Sequence, residues 1–153
     1  MSVIDCINIE CADEQIEHCS EKGCKIKLDA SYEHIILKGE KICSDRKICD
    51  CIIFVNQNDD LIVGIVELKS RSIHSSEIEE KLKNGSEIAV KILEKCPDLY
   101  NDSEFYHIVL AKGWRSSEHA NMRNTKIRFR NKRYNIITKK CGDSLFEITS
   151  QLR

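Results

Sequence analysis

Two apolar segments joined by a polar turn constrain the fold of this chain more than any other feature. The segments read CDCIIFV and LIVGIVELK, and the turn between them is NQNDD. Apolar runs of strand length around such a turn predict a β-hairpin, and the near-continuous apolarity of the second run predicts burial on both faces. Three charged residues nevertheless lie at one end of this hairpin, namely Asp50, Glu67 and Lys69. Charged side chains seldom enter core strands without a partner or a metal, so we expect a cluster there.

The segments around the hairpin predict an α/β domain. Apolar or small residues recur every three or four positions from Ile78 to Cys96, which indicates a long helix, and the buried-type strand EFYHIVL follows. A helix of this length between two strands favours a crossover, and therefore a mixed central sheet flanked by helices. Further elements are predicted as a short helix at 12–22, a strand in HIILKG, a helix or loop at 116–124 and a basic hairpin at about 126–137.

Length and composition predict a single cytoplasmic domain spanning residues 1–153. The 153 residues are 41% hydrophobic and 32% charged. No apolar run approaches the roughly 20 residues needed to span a bilayer, and the N-terminal segment lacks the basic start and apolar core of a signal peptide. We therefore expect no membrane association.

Nine cysteines are a high count for such a chain. In a cytoplasmic protein they are expected to be free thiols rather than disulfides. The first four follow the spacing C-x4-C-x7-C-x4-C, which is looser than the paired knuckles of common zinc sites. Buried or half-exposed free thiols are favoured, and a structural zinc or iron–sulfur site in the first 24 residues is the alternative.

The chemistry of the charged cluster suits phosphodiester hydrolysis. Pairing through the turn would place Asp50 across from the end of the second strand, where Glu67 and Lys69 share one face about 7 Å apart. Two close carboxylates repel each other unless a cation lies between them, and Mg²⁺ prefers such oxygen ligands. A bound Mg²⁺ can polarise a phosphoryl oxygen, and a neighbouring lysine can stabilise the developing negative charge.

The pattern resembles the active-site motif of the PD-(D/E)xK nuclease superfamily, to which restriction endonucleases and Holliday-junction resolvases belong. Asp50 is followed by sixteen residues, then Glu67-Leu68-Lys69, then a helix, and the similarity spans residues 30–112. It implies a restriction-endonuclease-like fold in which Asp50, Glu67 and the carbonyl of Leu68 bind Mg²⁺ or Mn²⁺. It also implies that Lys69 is the catalytic lysine.

Several further positions are assigned around this motif. Many family members carry an acid before the Asp strand, for which Glu33 is preferred here and Glu40 is the other candidate. Cys49 occupies the position of the proline that gives the motif its name, and this proline has no chemical role. On the following helix Lys81 is expected near the metal cleft, and Arg71 directly after the motif is expected to face it.

Basic residues concentrate in the last part of the chain. Residues 121–153 carry nine basic and two acidic side chains, which is an electrostatic pattern typical of polyanion binding. The alternative to polyanion binding is a solvated basic hairpin, and the alternative to base stacking by Trp114 is a tryptophan at the edge of the core. The predicted nucleic-acid contacts are Lys112, Trp114, Arg115, Arg128, Arg130, Lys132 and Arg133, with Ile127 and Phe129 facing the core.

These observations predict a Mg²⁺- or Mn²⁺-dependent nuclease of the endonuclease type, with DNA favoured over RNA as substrate. A domain this small has little room for a specificity module, so we expect a homodimer or a subunit of a larger complex. A role in defence or repair follows by fold-level analogy alone. The alternative is a catalytically inactive nuclease-fold adaptor that binds nucleic acid or a protein partner.

Overall fold

A seven-stranded mixed sheet organises the residues that the computed structural model describes, which are 1–69 and 75–152. Arg71 lies outside these residues. The strands are β1 (Gln15–Ile16), β2 (Ser20–Glu21), β3 (Cys24–Lys25), β4 (Glu33–Lys38), β5 (Cys51–Gln57), β6 (Asp60–Lys69), β7 (Ser103–Ala111), β8 (Lys126–Phe129) and β9 (Lys132–Lys140). The helices are α1 (Val3–Glu10), α2 (Gly39–Ile42), α3 (Ser75–Glu94), α4 (Ser116–Asn124) and α5 (Leu145–Ser150). The order in the sheet is β1-β4-β5-β6-β7-β9-β8, and β2 and β3 form a separate ribbon.

The central hairpin and its crossover helix confirm the predicted core. β5 and β6 pair antiparallel through a two-residue turn at Asn58 and Asp59, whose φ angles of 54° and 68° match the twist of the flanking strands. α3 then crosses over so that β6 and β7 run parallel. The predicted α/β class with a mixed sheet flanked by helices is therefore confirmed.

Helices cover both faces of the sheet. On one face the apolar stripe of α3, including Ile78, Leu82 and Ala89, packs with α1 and α4 against β5, β6 and β7. On the other face Leu145 and Ile148 of α5 pack against the alternate side chains of the same strands. No helix within the described ranges has the length and apolar character required to cross a membrane.

The N-terminal region differs from the prediction. Residues 12–22 do not form a helix; they contain a short 3₁₀ turn followed by β1 and β2. The helix lies earlier, at α1, where Ser2 and Asp5 form a capping box and Val3, Ile4 and Ile7 are buried. A cap followed by apolar residues on one face stabilises a short helix, and this signal precedes the segment that was predicted.

Six of the nine cysteines form disulfides, which contradicts the expectation of free thiols. The three bonds found among the described residues are Cys6–Cys96, Cys19–Cys51 and Cys24–Cys141. Each joins segments that are distant in sequence, so the first four cysteines do not form one metal module. Cys11, Cys43 and Cys49 are free and buried.

Candidate active site

The register of the central hairpin brings Asp50 and Glu67 together. Cys51 pairs with Val66, so Asp50, directly before β5, lies across from Glu67 near the end of β6. The Asp50 backbone N–H donates to Glu67 Oε1 at 3.1 Å. The Leu68 N–H donates to Asp50 Oδ2 at 2.7 Å. The Asp50 carboxylate thus continues the hydrogen bonding where the β5–β6 ladder ends.

Two lysines contact the same oxygen of Glu67. Lys69 Nζ lies 3.1 Å from Glu67 Oε2, and Lys81 Nζ, reaching over from α3, lies 3.0 Å from it. The Glu67 side chain is only 1% exposed, so its charge depends on these partners. Lys69 thus lies on the predicted face, and Lys81 lies beside the same carboxylate; the proximity of Lys81 to a metal stays a prediction. We call Asp50, Glu67, Lys69 and Lys81 the carboxylate–lysine cluster.

Lys81 is held by two carboxylates. Besides Glu67 it contacts Glu77 Oε1 at 3.3 Å, one turn earlier on α3. Burial opposes the charged form of Lys81, but the charges and hydrogen bonds of Glu67 and Glu77 outweigh it and raise the pKa of Lys81 above its ordinary value. Lys81 therefore stays protonated and fixes the position of Glu67.

Asp50 experiences the opposite effect. Burial, followed by the negative charge of Glu67, raises the pKa of Asp50 from 3.8 to about 7. Both lysines of the cluster contact Glu67, and the ionised form of Asp50 is therefore undercompensated near neutral pH. A divalent cation beside Asp50 would remove this cost.

The donor set fits a hard divalent cation. It consists of two carboxylates, and the Leu68 carbonyl faces the same side, because the N–H and C=O of a strand residue point toward the same neighbour. Residues 1–69 and 75–152 contain no group of three or more His, Cys, Asp or Glu side chains that could hold a metal. Mg²⁺ commonly binds through one or two carboxylates and keeps several waters, and Asp50 and Glu67 match that number of carboxylates.

Glu33 does not belong to this cluster. In the β4–β5 ladder Glu33 pairs with Asn56, whereas Lys38 pairs with Cys51 beside Asp50. The offset of five positions between Glu33 and Lys38 places Glu33 about 17 Å along the strand from the cluster. The assignment of Glu33 to the site is therefore corrected.

The acid that does lie beside Asp50 is the other candidate, Glu40, which lies on α2 directly after β4. A cavity of about 380 Å³ is lined by Glu21, Lys38, Glu40 and Asp50, and Lys38 Nζ contacts Glu40 Oε1 at 3.0 Å. Sequence reasoning missed Glu21 and Lys38. Glu21 lies on the β2–β3 ribbon, whose two-residue strands are too short to show a periodic pattern.

Gly39 allows the Asp50 segment to approach β4. The Gly39 N–H donates to the carbonyl of Asp50 at 2.9 Å. A Cβ at Gly39 would lie 1.9 Å from the carbonyl oxygen of Cys49, so only glycine fits this approach. The thiol of Cys49 is fully buried, and burial, Glu67 and Asp50 raise its pKa, so it is an unreactive packing residue.

The segment after β7 lies at the same edge of the sheet as the cluster. Lys69 pairs in register with Ala111, so the exposed Lys112 and Arg115 follow at that edge. Trp114 is half-buried against the core, and its Nε1–H donates to the Lys139 carbonyl at 2.9 Å. This is the core-edge position named as the alternative to base stacking.

The tip of the basic hairpin lies at the opposite end of the sheet. Ile127 and Phe129 are buried and Arg128 is exposed, which confirms the predicted faces. Because Glu67 is level with Val109, and Val109 with Thr138, the start of β9 at Lys132 lies about 20 Å along the strand from the cluster. Arg128, Arg130, Lys132 and Arg133 are therefore separated from the carboxylate–lysine cluster.

Comparisons with known protein families, with curated protein sequences and with solved structures found no match to this chain.

The raised pKa of Asp50 predicts an unusual pH dependence of stability. The folded chain holds this proton more tightly than the unfolded chain, so the contribution of Asp50 is fully present below about pH 4 and is lost as pH rises through 7. Asp50→Asn should therefore have a higher Tm than the native chain at pH 8. Each kcal/mol of unfolding free energy that the variant gains should raise its Tm by about 2–4 °C. The difference should shrink toward pH 5.

Thermal unfolding at both pH values, with and without Mg²⁺, checks this prediction. Mg²⁺ should raise the Tm of the native chain at pH 8, because a ligand of the folded state stabilises it, and should have little effect on Asp50→Asn. A native chain that is more stable than the variant at pH 8 without metal would contradict the electrostatic argument.

Proposed function

We propose that this protein is a metal-dependent nuclease of the PD-(D/E)xK type, with a restriction-endonuclease-like fold, that hydrolyses phosphodiester bonds in DNA. The observation that carries the proposal is the convergence of Asp50, Glu67 and Lys69 at the end of two paired core strands. One buried carboxylate, one half-buried carboxylate and a lysine in this arrangement suit metal-assisted phosphoryl transfer.

Each residue of the cluster has a distinct role in this proposal. Asp50, Glu67 and the carbonyl of Leu68 would hold Mg²⁺ or Mn²⁺, which when bound polarises the phosphoryl oxygen and acidifies bound water. The ammonium group of Lys69, 24% exposed, would stabilise negative charge that develops on the phosphate. Lys81 acts through Glu67 as a positioning residue.

The surroundings of the cluster support access by a phosphate backbone. The exposed Lys112 and Arg115 lie at the same end of the sheet as Lys69. Their positive charges would offset the repulsion between a polyanion and the carboxylates of the site. We also propose that this domain acts as a homodimer or within a larger complex that supplies specificity.

One observation favours the inactive adaptor as a second candidate. Glu67 Oε2 is already contacted by Lys69 and Lys81, which makes a closed ion-pair cluster that could hold the strands together without a metal. In that case the cluster would be structural, and the basic surface would bind a partner without cleavage.

A cleavage assay on the purified chain separates the two candidates. The substrates are single- and double-stranded DNA and RNA, each with Mg²⁺, Mn²⁺ or EDTA. Glu67→Gln is compared with Glu80→Gln, which removes an exposed charge of α3. Cleavage that requires metal, is lost in Glu67→Gln and persists in Glu80→Gln is the expected result. Absence of cleavage from the native chain under all conditions would favour the adaptor.

A further inference from the structure

A cavity lined by cations lies at the tip of the basic hairpin. It has a volume of about 620 Å³ and lies between the β8–β9 turn and the flank of α3. We call it the hairpin-tip cavity. Its charged lining residues are Lys83, Glu87, Arg128, Arg130, Lys132 and Arg133.

The positive charge of this cavity is not balanced by nearby acids. Among the described residues, none of the five cations takes part in an ion pair within 4.0 Å. The single acid, Glu87, lies 3.7 Å from Arg46. Five like charges around one cavity repel each other, and an anion in the cavity would relieve this repulsion.

The turn that carries these cations is held in place. Arg130 lies over the rings of Phe105 and Phe129 at 5.3 and 5.9 Å, and its Nη1–H donates to Ser103 Oγ at 3.3 Å. Arg130 and Asn131 have φ angles of 56° and 61°, a conformation that side-chain-bearing residues adopt at a cost. The contacts of Arg130 stabilise that conformation and thereby preorganise the cavity.

The lining of the cavity favours phosphate groups over unstacked bases. Binding of single strands relies on exposed aromatic rings on which bases stack. Phe129 is 8% exposed and is covered by Arg130. Within residues 1–69 and 75–152, the exposed large hydrophobic side chains lie elsewhere, at Met1, Ile9, Phe146 and Leu152.

The spacing between the cavity and the cluster fits an extended duplex. The two are separated by about 20 Å along the strands and by two strand spacings, about 10 Å, across the sheet. The direct separation is therefore about 22 Å, which corresponds to about six base pairs at 3.4 Å each.

We propose that the hairpin-tip cavity binds the phosphate backbone of duplex DNA as a second contact, about six base pairs from the bond that the carboxylate–lysine cluster would cleave. The position of the cleaved bond relative to this contact rests on the proposed function. The backbone contact does not, because it depends only on the cations of the cavity.

Salt-dependent binding measured in EDTA tests the contact separately from cleavage. Fluorescence anisotropy would be recorded with a labelled duplex of about 20 base pairs and with one of its single strands, over a range of salt concentrations, since each phosphate contact contributes about −0.9 to the slope of log affinity against log salt. The double variant Arg128→Gln/Arg133→Gln is compared with Lys91→Gln/Lys95→Gln, which removes two exposed charges of α3 and the residues just after it.

The expected result is a preference of the native chain for the duplex and a slope that becomes shallower by about two only in the arginine variant. Lengthening the duplex from about 5 to about 20 base pairs should add more affinity to the native chain than to the arginine variant, because only the longer duplex spans both sites. Equal slopes for the two double variants, or equal binding of duplex and single strand, would overturn the proposal. None of these outcomes depends on whether the chain cleaves DNA.

Discussion

Lys69→Met should lower the rate of metal-dependent cleavage by about 10²–10³-fold, the range lost when a group that stabilises transition-state charge is removed. Methionine keeps much of the length of the lysine side chain and removes only its charge. Glu67 would retain Lys81 at 3.0 Å, so the fold and its unfolding temperature should change little. The measurements are kcat and KM on the preferred substrate and a thermal melt of the same sample.

Lys81→Met provides the matched comparison, because both lysines contact the same carboxylate oxygen. Lys81 bridges Glu67 and Glu77 and is the less exposed of the two, so its loss should lower the free energy of unfolding by about 1–3 kcal/mol. Its effect on kcat should be smaller than that of Lys69→Met. A larger loss of kcat in Lys81→Met, with Lys69→Met nearly unaffected, would show that the two roles are exchanged.

The central part of the site could be predicted from the sequence because its geometry is local. The turn between β5 and β6 sets their register, and the register places Asp50 across from Glu67. Strand alternation then places Lys69 on the same face as Glu67. The position of Lys81 follows from its place on α3, the helix that comes after β6 in the chain.

The positions that could not be predicted depend on how distant segments pack. Glu33 was assigned to the site because it precedes the Asp50 strand, but antiparallel pairing carries it to the far end of β4. The hairpin tip lies far from the cluster because β9 is parallel to β7. No local sequence pattern predicts this strand direction. Glu21 reaches the cavity beside Asp50 only through the β2–β3 ribbon.

The cysteine pairing is the clearest case of this kind. Cys24 and Cys141 are 117 residues apart, and Cys6 and Cys96 are 90 apart. The expectation of free thiols came from the predicted compartment, since disulfides are rare in the cytosol of most organisms. Spacing along the chain carries no information about such bonds, because they form between surfaces that meet only in the folded protein.

Removal of the Cys24–Cys141 disulfide should cause the largest loss of stability in this protein. Closing a loop of about 100 residues stabilises a fold by about 4.7 kcal/mol in the chain-entropy description, and a shorter loop contributes less. The double variant Cys24→Ser/Cys141→Ser should therefore lose about 4–5 kcal/mol of unfolding free energy. The double variant Cys19→Ser/Cys51→Ser should lose somewhat less, because its cysteines are separated by only 32 residues. Urea unfolding of each variant measures both losses.

A loss larger than that of either double variant should appear when the native chain is treated with a dithiol reductant, because reduction opens all three loops. Cys43→Ser, which changes a buried free thiol, is the control: its melt should still shift on reduction, whereas the melt of a chain lacking all three disulfides should not. A native chain whose unfolding midpoint is identical with and without reductant would contradict the bonds and restore the expectation of free thiols. The ordering of the losses tests the mechanism further, since an entropic origin requires the bond that closes the longest loop to contribute most.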